Sequence, residues 1–199
     1  MNSGISGDIV YFEWDQDLLQ KVEKALGDLK SKSRKVMKDA VNGTAKQAKK
    51  DLARKAQQTY TVKQGGFTKA MKTKNATEAT LTATIKATGQ KIDLKQMKVS
   101  PATYATGVNK PSFYRAKNLK SGGLKALDKN PKAFLSKIGG VQVVERVGES
   151  RLPIRKMVAL AVPQMLGSKA HVYGVLEPQI HEKLMANVDR QIKRVLYQG

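Results

Sequence analysis

The stretch from Val141 to Gly167 constrains the fold most, because it alternates short apolar runs with turn and proline signals. Its first apolar run ends before Gly148-Glu149-Ser150, which has the composition of a tight turn. In the returning segment, Leu152 and Ile154 are two residues apart, so we expect both on one buried face of a strand. Pro153 lacks an N–H group and therefore predicts an edge or irregular strand. The stretch predicts a β-hairpin.

A second proline leads from this hairpin towards the end of the chain. After an apolar strand, the run Pro163-Gln164-Met165-Leu166-Gly167 predicts one helical turn closed by a glycine. Apolar residues then recur every four positions, which predicts a C-terminal helix over 170–197 that Pro178 kinks or divides. The stripe consists of Val172, Leu176, Ile180, Leu184, Val188, Ile192 and Leu196.

Helical spacing also governs the first third of the chain. Apolar residues recur three or four apart, or at multiples of that spacing, from Leu18 to Ala56, which predicts a long helix over 15–57 that bends or divides at Asn42-Gly43. At about 1.5 Å per residue, this helix exceeds what a small core needs, and we expect it to pack against copies of itself. The bases Lys46, Lys49 and Lys50 lie on its exposed face. They either contact DNA or an acidic neighbour, or serve only solubility.

The middle of the chain predicts a hairpin followed by a loop. Apolar residues from Leu81 to Ala87 alternate with threonines, and Gly89-Gln90 turns the chain, so we expect a hairpin over 78–95. Periodicity fails over 101–131, which predicts an extended basic loop.

A sheet over 133–162 completes the predicted elements. Together they indicate a single α+β domain over 1–199. Its long N-terminal helix and its C-terminal helix pack on a small, mainly antiparallel sheet.

The net charge of the chain and its distribution limit the range of functions. The chain carries 37 Lys and Arg against 16 Asp and Glu, a net charge of +21. Residues 1–29 hold six acids and two lysines, net −4, whereas residues 30–75 hold 14 bases and two acids, net +12. Residues 86–137 add 12 bases and two acids, net +10. A field of this sign favours contact with nucleic acid, or its passage, over a merely solvated basic surface.

The predicted loop combines charge with aromatic side chains. Tyr104, Phe113 and Tyr114 interleave with bases, a mixture that stacks on nucleobases and neutralises phosphates. Alternatively, these aromatics anchor the loop to its own domain. The candidate DNA or subunit contacts in the loop are Lys110, Arg115, Lys117 and Lys120.

Several function classes find no support in the residues. The absence of cysteine removes disulfides and thiolate zinc sites, and His171 and His181 are about 280° apart around a helix, too far to share a metal on one helical face. No phosphate-loop, nucleophile-elbow or zinc-protease motif occurs. No apolar run approaches the roughly 18 residues of a membrane span, and no signal peptide is evident. We therefore expect a soluble protein that is not an enzyme, needs no cofactor or metal, and is made in a cytoplasm.

The central stretch also carries a family resemblance. It contains the run Arg146-Val147-Gly148-Glu149-Ser150-Arg151-Leu152-Pro153-Ile154, then Val162-Pro163-Gln164-Met165-Leu166 and an amphipathic helix. This order resembles the minor tail protein Z family of long-tailed bacteriophages. The residues that carry the motif are Arg146, Gly148, Arg151, Leu152, Pro153, Ile154, Pro163, Met165 and Leu166. The likeness covers most of the chain and thins between residues 101 and 130.

The resemblance implies a structural protein of the virion. Such a minor tail or tail completion protein acts at the head–tail junction as a ring around the DNA channel, with a hexamer favoured. Its implied partners are the tail terminator and head-completion or tail-tube proteins, with non-specific contact to genomic DNA. Its implied location is the virion, and the host cytoplasm during assembly. The family offers no active-site residues to transfer. A second function, sequence-independent DNA binding by a free protein, rests on the net charge alone.

Overall fold

The computed structural model describes residues 5–12, 16–63, 66–129, 132–137 and 139–198. Its helices are α1 (Gln16–Leu26), α2 (Ser33–Thr59), α3 (Phe67–Ala70), α4 (Val162–Leu166) and α5 (Tyr173–Gln198). Its strands are β1 (Ile5–Phe12), β2 (Met71–Lys74), β3 (Ala83–Gly89), β4 (Lys91–Asp93), β5 (Lys98–Ser100), β6 (Arg115–Lys117), β7 (Lys125–Ala126), β8 (Phe134–Ser136), β9 (Gln142–Arg146), β10 (Ile154–Lys156) and β11 (Val158–Ala161).

The described strands form four small sheets, and every pairing in them is antiparallel. Their strand orders are β1-β3-β2, β10-β9-β8, β11-β4 and β5-β6-β7. The long helices α2 and α5 pack against each other, and α2 also contacts β3. The predicted α+β class, with a long N-terminal and a C-terminal helix on small antiparallel sheets, is confirmed.

Helix α2 contributes a stripe of small side chains to the core. Ala40, Ala45 and Ala48 are buried there, and so is Leu52. Side chains of this size allow α5 to approach closely, and the apolar stripe of α5 from Leu176 to Val188 lies in the same cluster. The apolar stripe of α2 is therefore covered by its own chain, which corrects the expectation that it packs against copies of itself.

The break in the N-terminal helical span lies at Gly27, and its prediction at Asn42-Gly43 was wrong. Gly27 has φ +54°, a left-handed conformation that ends α1, and a 3-10 segment then leads into α2. Asn42 stays helical because its side chain does not compete with its own helix. Its amide instead donates to the carbonyl of Ala76 at 3.0 Å and accepts from that residue's N–H at 2.7 Å.

The strand predicted from the alternation at Leu81 to Ala87 is present as β3, but the hairpin over 78–95 is wrong. The neighbours of β3 are β1 and β2, neither of which was predicted, and β4 pairs with β11 instead. Gly89 marks where β3 ends. A Cβ there would lie 3.2 Å from Pro163 Cδ, so the glycine allows α4 to cross the end of the strand.

The segment predicted as an extended loop over 101–131 is partly ordered. Strands β6 and β7 lie within it and form a sheet with β5. Tyr114 is 2% exposed and Ala116 is 6% exposed, and both belong to the core cluster. The prediction of an extended loop over 101–131 is therefore wrong for these two strands, and Tyr114 and Ala116 belong to the core.

The sheet over 133–162 is present in two parts. Strands β8, β9 and β10 form one sheet, while β11 joins β4 in another. The C-terminal helix begins at Tyr173, three residues later than predicted, and Pro178 lies within it without dividing it. Its stripe is buried as far as Val188, whereas Leu196 is 42% exposed.

Candidate functional site

The two ends of the motif segment differ in burial. On α4, the side chains of Pro163, Met165 and Leu166 are buried. This helix contacts β1, β3 and α2. Proline suits the first turn of this helix because its missing N–H would have no helical partner there. Gly167 follows the last helical residue, and its N–H donates to the Pro163 carbonyl at 2.9 Å. This end of the motif serves the core.

The other end forms a projecting hairpin. Strands β9 and β10 pair in the predicted antiparallel sense, with Ile154 opposite Arg146. The N–H of Val147 donates to the carbonyl of Pro153 at 3.0 Å, so the connection is longer than a three-residue turn around Gly148. Strand β10 lies at the edge of its sheet, as Pro153 predicted.

Leu152 is not a core residue, which corrects the strand prediction. It lies in the connection before β10 and is 62% exposed, while Ile154 is only half-buried. Val147, on the other side of the connection, is 55% exposed. The alternation of Leu152 and Ile154 was misleading because β10 starts only at Ile154. The motif thus presents two apolar side chains to solvent.

The arginines of the motif have different partners. Arg155 binds the carboxylate of Glu145 across the hairpin, at 2.6 Å from Nη2 and 2.7 Å from Nε. Arg151 is exposed. Arg146 lies over the Phe134 ring at 5.7 Å from its centroid, and its Nη1 donates to the Ser150 carbonyl at 3.3 Å. These contacts hold the base and the tip of the hairpin.

One cleft brings motif and loop residues together. Its volume is about 310 Å³, and Arg146, Gly148, Lys110 and Phe134 line it. Lys132 and Glu149 also contribute to its walls. Three cations, one carboxylate and an aromatic face suit an acidic segment or a phosphate. The sequence did not predict that Lys110 and Arg146 share a cleft, because 36 residues separate them.

A larger cleft, of about 490 Å³, lies between α4 and the β6–β7 region. Tyr60, Leu160, Ser168 and His171 are among its lining residues. Burial raises the pKa of the Tyr60 hydroxyl, and a hydrogen bond with Ser168 partly offsets that effect. The walls are mainly apolar, and Gln164 of the Val162–Leu166 run and the candidate contact Lys117 also line this cleft.

The four candidate contacts of the predicted loop fall into two groups. Lys110 and Lys120 are exposed. Arg115 stacks over Phe113 at 5.0 Å, and Lys117 donates to the carbonyls of Lys120 at 2.9 Å and Gly122 at 3.0 Å. Lys117 therefore stabilises its own loop, and it is a poor candidate for a DNA contact.

The aromatic residues of this loop also differ in their burial and contacts. Tyr114 is buried and anchors the loop to the core, and burial raises the pKa of its hydroxyl. Tyr104 remains 36% exposed with the ammonium of Lys137 4.9 Å from its ring centroid. The anchoring alternative thus holds for Tyr114, whereas the rings of Phe113 and Tyr104 contact the cations of Arg115 and Lys137.

On α2, Lys46 and Lys50 are exposed and Lys49 is half-buried. Lys50 lines a groove with Arg54 and Lys69 from α3. Two of the three predicted bases of α2 are thus exposed, but the sequence analysis did not identify a second set of bases. Lys72 and Lys74 on β2 are also exposed, and their two-residue spacing was the available signal for a strand.

Within the described ranges, no three His, Asp or Glu residues come together in a way that could hold a metal ion. Both histidines are exposed. None of the described helices is long and apolar enough to cross a membrane.

No family model, no curated protein and no solved structure matches the chain.

Proposed function

We propose that the chain is a structural protein of a bacteriophage virion, a minor tail or tail completion protein at the head–tail junction. It forms a ring, with six copies favoured, around the channel that the genome passes. Its partners are further copies and the neighbouring tail terminator and head-completion or tail-tube proteins. The role is non-catalytic and requires no cofactor. The chain is assembled in the host cytoplasm and ends in the virion.

The exposed hairpin tip carries this proposal. Val147 and Leu152, 55% and 62% exposed, flank the tip of the segment that resembles the phage family. Two apolar side chains held in solvent by an ordered hairpin, with charged residues beside them, are the feature that we attribute to a protein contact. Within the described residues, the Arg155–Glu145 ion pair joins the two strands behind this tip. We assign the tip to the contact with the next copy in the ring.

The neighbouring strand supports the same assignment. On β11, Val158 and Leu160 are 47% and 37% exposed, while Ala159 and Ala161 between and after them are buried. An exposed strand face with apolar residues adds to the surface that a partner covers. Val158 and Leu160 thus add two exposed apolar side chains on one face of β11 to those of the hairpin tip.

The test compares two aspartate substitutions at exposed apolar positions. Leu152→Asp places a charge in the proposed contact, whereas Leu196→Asp places one at a 42% exposed position near the end of α5, a helix that packs against α1 and α2. Size-exclusion chromatography with light scattering measures assembly, and circular dichroism measures folding. We expect both variants to fold and only Leu152→Asp to lose assembly. Wild-type assembly by Leu152→Asp would contradict the proposal.

The second candidate is a free, sequence-independent DNA-binding protein, which the net charge of +21 favours. The same chromatography with and without duplex DNA separates the two. A ring, or an assembly-competent monomer with weak DNA affinity, supports the neck protein. A monomer that binds DNA tightly and never assembles supports the alternative.

A further inference from the structure

The sheet β1-β3-β2 has two unlike faces. On the inner face, Ala83, Ile85 and Ala87 of β3 are fully buried, and Met71 of β2 is 2% exposed. On the outer face, Lys86 of β3 and Lys72 and Lys74 of β2 are exposed. Helices α2, α3 and α4 contact this sheet from the side of its buried residues. The outer face is thus a basic surface on a rigid support.

The register of the sheet places like charges together. Lys72 is directly opposite Lys86, and Lys74 is opposite Thr84. Side chains directly opposite each other in an antiparallel pair have Cβ atoms about 4.5–5.5 Å apart, and like charges at such positions destabilise the pairing. The partner of Lys86 on β1 is Asp8. The three lysines and the aspartate at these paired positions carry a net formal charge of +2.

A second lysine pair shows how the fold relieves such repulsion elsewhere. Lys98 and Lys117 are also directly opposite each other, on β5 and β6. There the ammonium of Lys117 donates to two backbone carbonyls, of Lys120 and Gly122. Within the described part of the chain, neither Lys72 nor Lys86 has a side-chain hydrogen bond or an ion pair. The ammonium groups of Lys72 and Lys86 are therefore not held by backbone carbonyls in the way that the ammonium group of Lys117 is.

We propose that this outer face binds the phosphate backbone of DNA. Lys72 and Lys74 are two residues apart on one strand, about 6.6–6.8 Å, so three ammonium groups lie close enough to engage neighbouring phosphates. Thr84 and Thr88 share the outer side of β3, and their hydroxyls are further donors for phosphate oxygens. A bound polyanion converts the repulsion between Lys72 and Lys86 into attraction for a common ligand. The inference deepens the proposed function, because it names the face that meets the genome.

The experiment compares two double variants that each lose two charges. Lys72→Gln with Lys86→Gln removes the opposed pair. Lys21→Gln with Lys24→Gln removes two exposed lysines of α1 and serves as the control. Binding of the purified full chain to two unrelated DNA duplexes is measured across a salt series. Each phosphate contact contributes about 0.9 to the slope of log K against log salt, so we expect the first variant to lose roughly 1.8 and the control almost nothing.

A stability measurement gives a second, opposite signal. Because the opposed lysines repel each other, Lys72→Gln with Lys86→Gln should raise the melting temperature of the free protein or leave it unchanged. Reduced DNA binding in a variant of equal or greater stability cannot come from unfolding. A clear fall in melting temperature together with a fall in binding would overturn the proposal, because it would make the two lysines structural.

Two further outcomes decide between DNA and other partners. Equal salt slopes for the two double variants would overturn the proposal. So would a loss of binding to polyglutamate with DNA binding unchanged, because it would assign the face to an acidic protein. The DNA-binding measurement does not depend on ring assembly, so a negative result would not affect the Leu152→Asp test of assembly. Conversely, a phosphate face on a chain that never assembles would refute only the ring.

Discussion

The α2–α5 helix pair and the β9–β10 hairpin break the usual pattern of burial in opposite directions. Between the helices, Asn187 and Thr44 are polar and are 5% and 0% exposed. In the hairpin, Val147 and Leu152 are apolar and more than half exposed. The comparison shows that residue polarity did not decide burial in either region.

What decides burial is whether the chain itself supplies a partner. The Asn187 amide donates to Thr44 Oγ1 at 2.8 Å, and that hydroxyl donates to the Ala40 carbonyl at 2.8 Å. Each buried polar group is thus satisfied, which avoids the cost of an unpaired one. The hairpin tip has no such cover among the described residues. The helix pair is therefore complete within one chain, and we propose that the hairpin is completed by another.

The largest expected effect is the contrast between two leucine truncations. Leu52→Ala on α2 removes a side chain with 0% exposure and should cost about 2–5 kcal/mol of unfolding free energy. Leu152→Ala removes one that is 62% exposed and should cost less than about 0.5 kcal/mol. Denaturant melts of the two variants measure both values. If Leu152→Ala lost about 2 kcal/mol or more of unfolding free energy, Leu152 would have to be a core residue.

A smaller effect is expected at the buried polar contact. Thr44→Val keeps the shape of the side chain and removes the hydroxyl that accepts from Asn187, so it should cost about 1–3 kcal/mol. Gln47 Oε1 lies 3.5 Å from the same amide nitrogen, a longer contact that limits the loss. Combining Thr44→Val with Asn187→Leu should recover part of it, because no buried polar group then lacks a partner. A neutral Thr44→Val would show that this contact does not hold the helices in register.

The sequence predicted elements well where periodicity and burial coincide. The helical spacing of apolar residues in α5 and their alternation in β3 were predicted correctly, because these residues face the core of the same chain. The prediction failed at Leu152, whose apolar character indicates a contact outside the chain. It also failed in strand pairing, because alternation reveals a strand and not its neighbours. The partners of β3 come from residues 5–12 and 71–74, and nothing local in β3 points to either.

The candidate site was only partly predictable for the same reason. Arg146 and Lys110 each stood out, but their common cleft depends on how the hairpin and loop pack. Lys117 had the same appearance in sequence as Lys120, yet its ammonium is held by two carbonyls. The opposition of Lys72 and Lys86 is a property of register, which appears only once β2 is paired with β3.

Gly43 of α2 provides a further test of how closely α2 and α5 pack. A Cβ there would meet only Asn187 Nδ2, at 3.8 Å, which is an ordinary contact. Gly43→Ala should therefore stabilise the protein by about 0.5–1 kcal/mol, since alanine is the better residue inside a helix. Gly27→Ala is the matched control and should destabilise, because Gly27 has φ +54°. Destabilisation by Gly43→Ala in thermal melts would mean that the helices tolerate no added methyl group.

The smallest expected effect comes from an exposed polar contact of α2, Lys38 with Glu78, whose charged atoms lie 2.7 Å apart. The hydrogen bond from the Lys38 ammonium lowers the pKa of the Glu78 carboxyl from its ordinary value of 4.5, and the Coulombic attraction of the same group adds to the shift. A lowered pKa stabilises the fold at pH values above the unfolded-state pKa, and this contribution is lost as the pH falls through the folded-state pKa.

Glu78→Gln should therefore lower the melting temperature slightly at neutral pH. The difference from wild type should begin to shrink as the pH falls below the ordinary value of 4.5, and it should be lost as the pH falls through the lowered folded-state pKa of Glu78. Added salt should shrink it as well, because exposed ion pairs are screened. At neutral pH the effect should remain smaller than that of Thr44→Val, since water replaces an exposed partner but cannot reach a buried one. Equal effects of the two substitutions would remove the distinction between the buried contact of the helix pair and a contact at its surface.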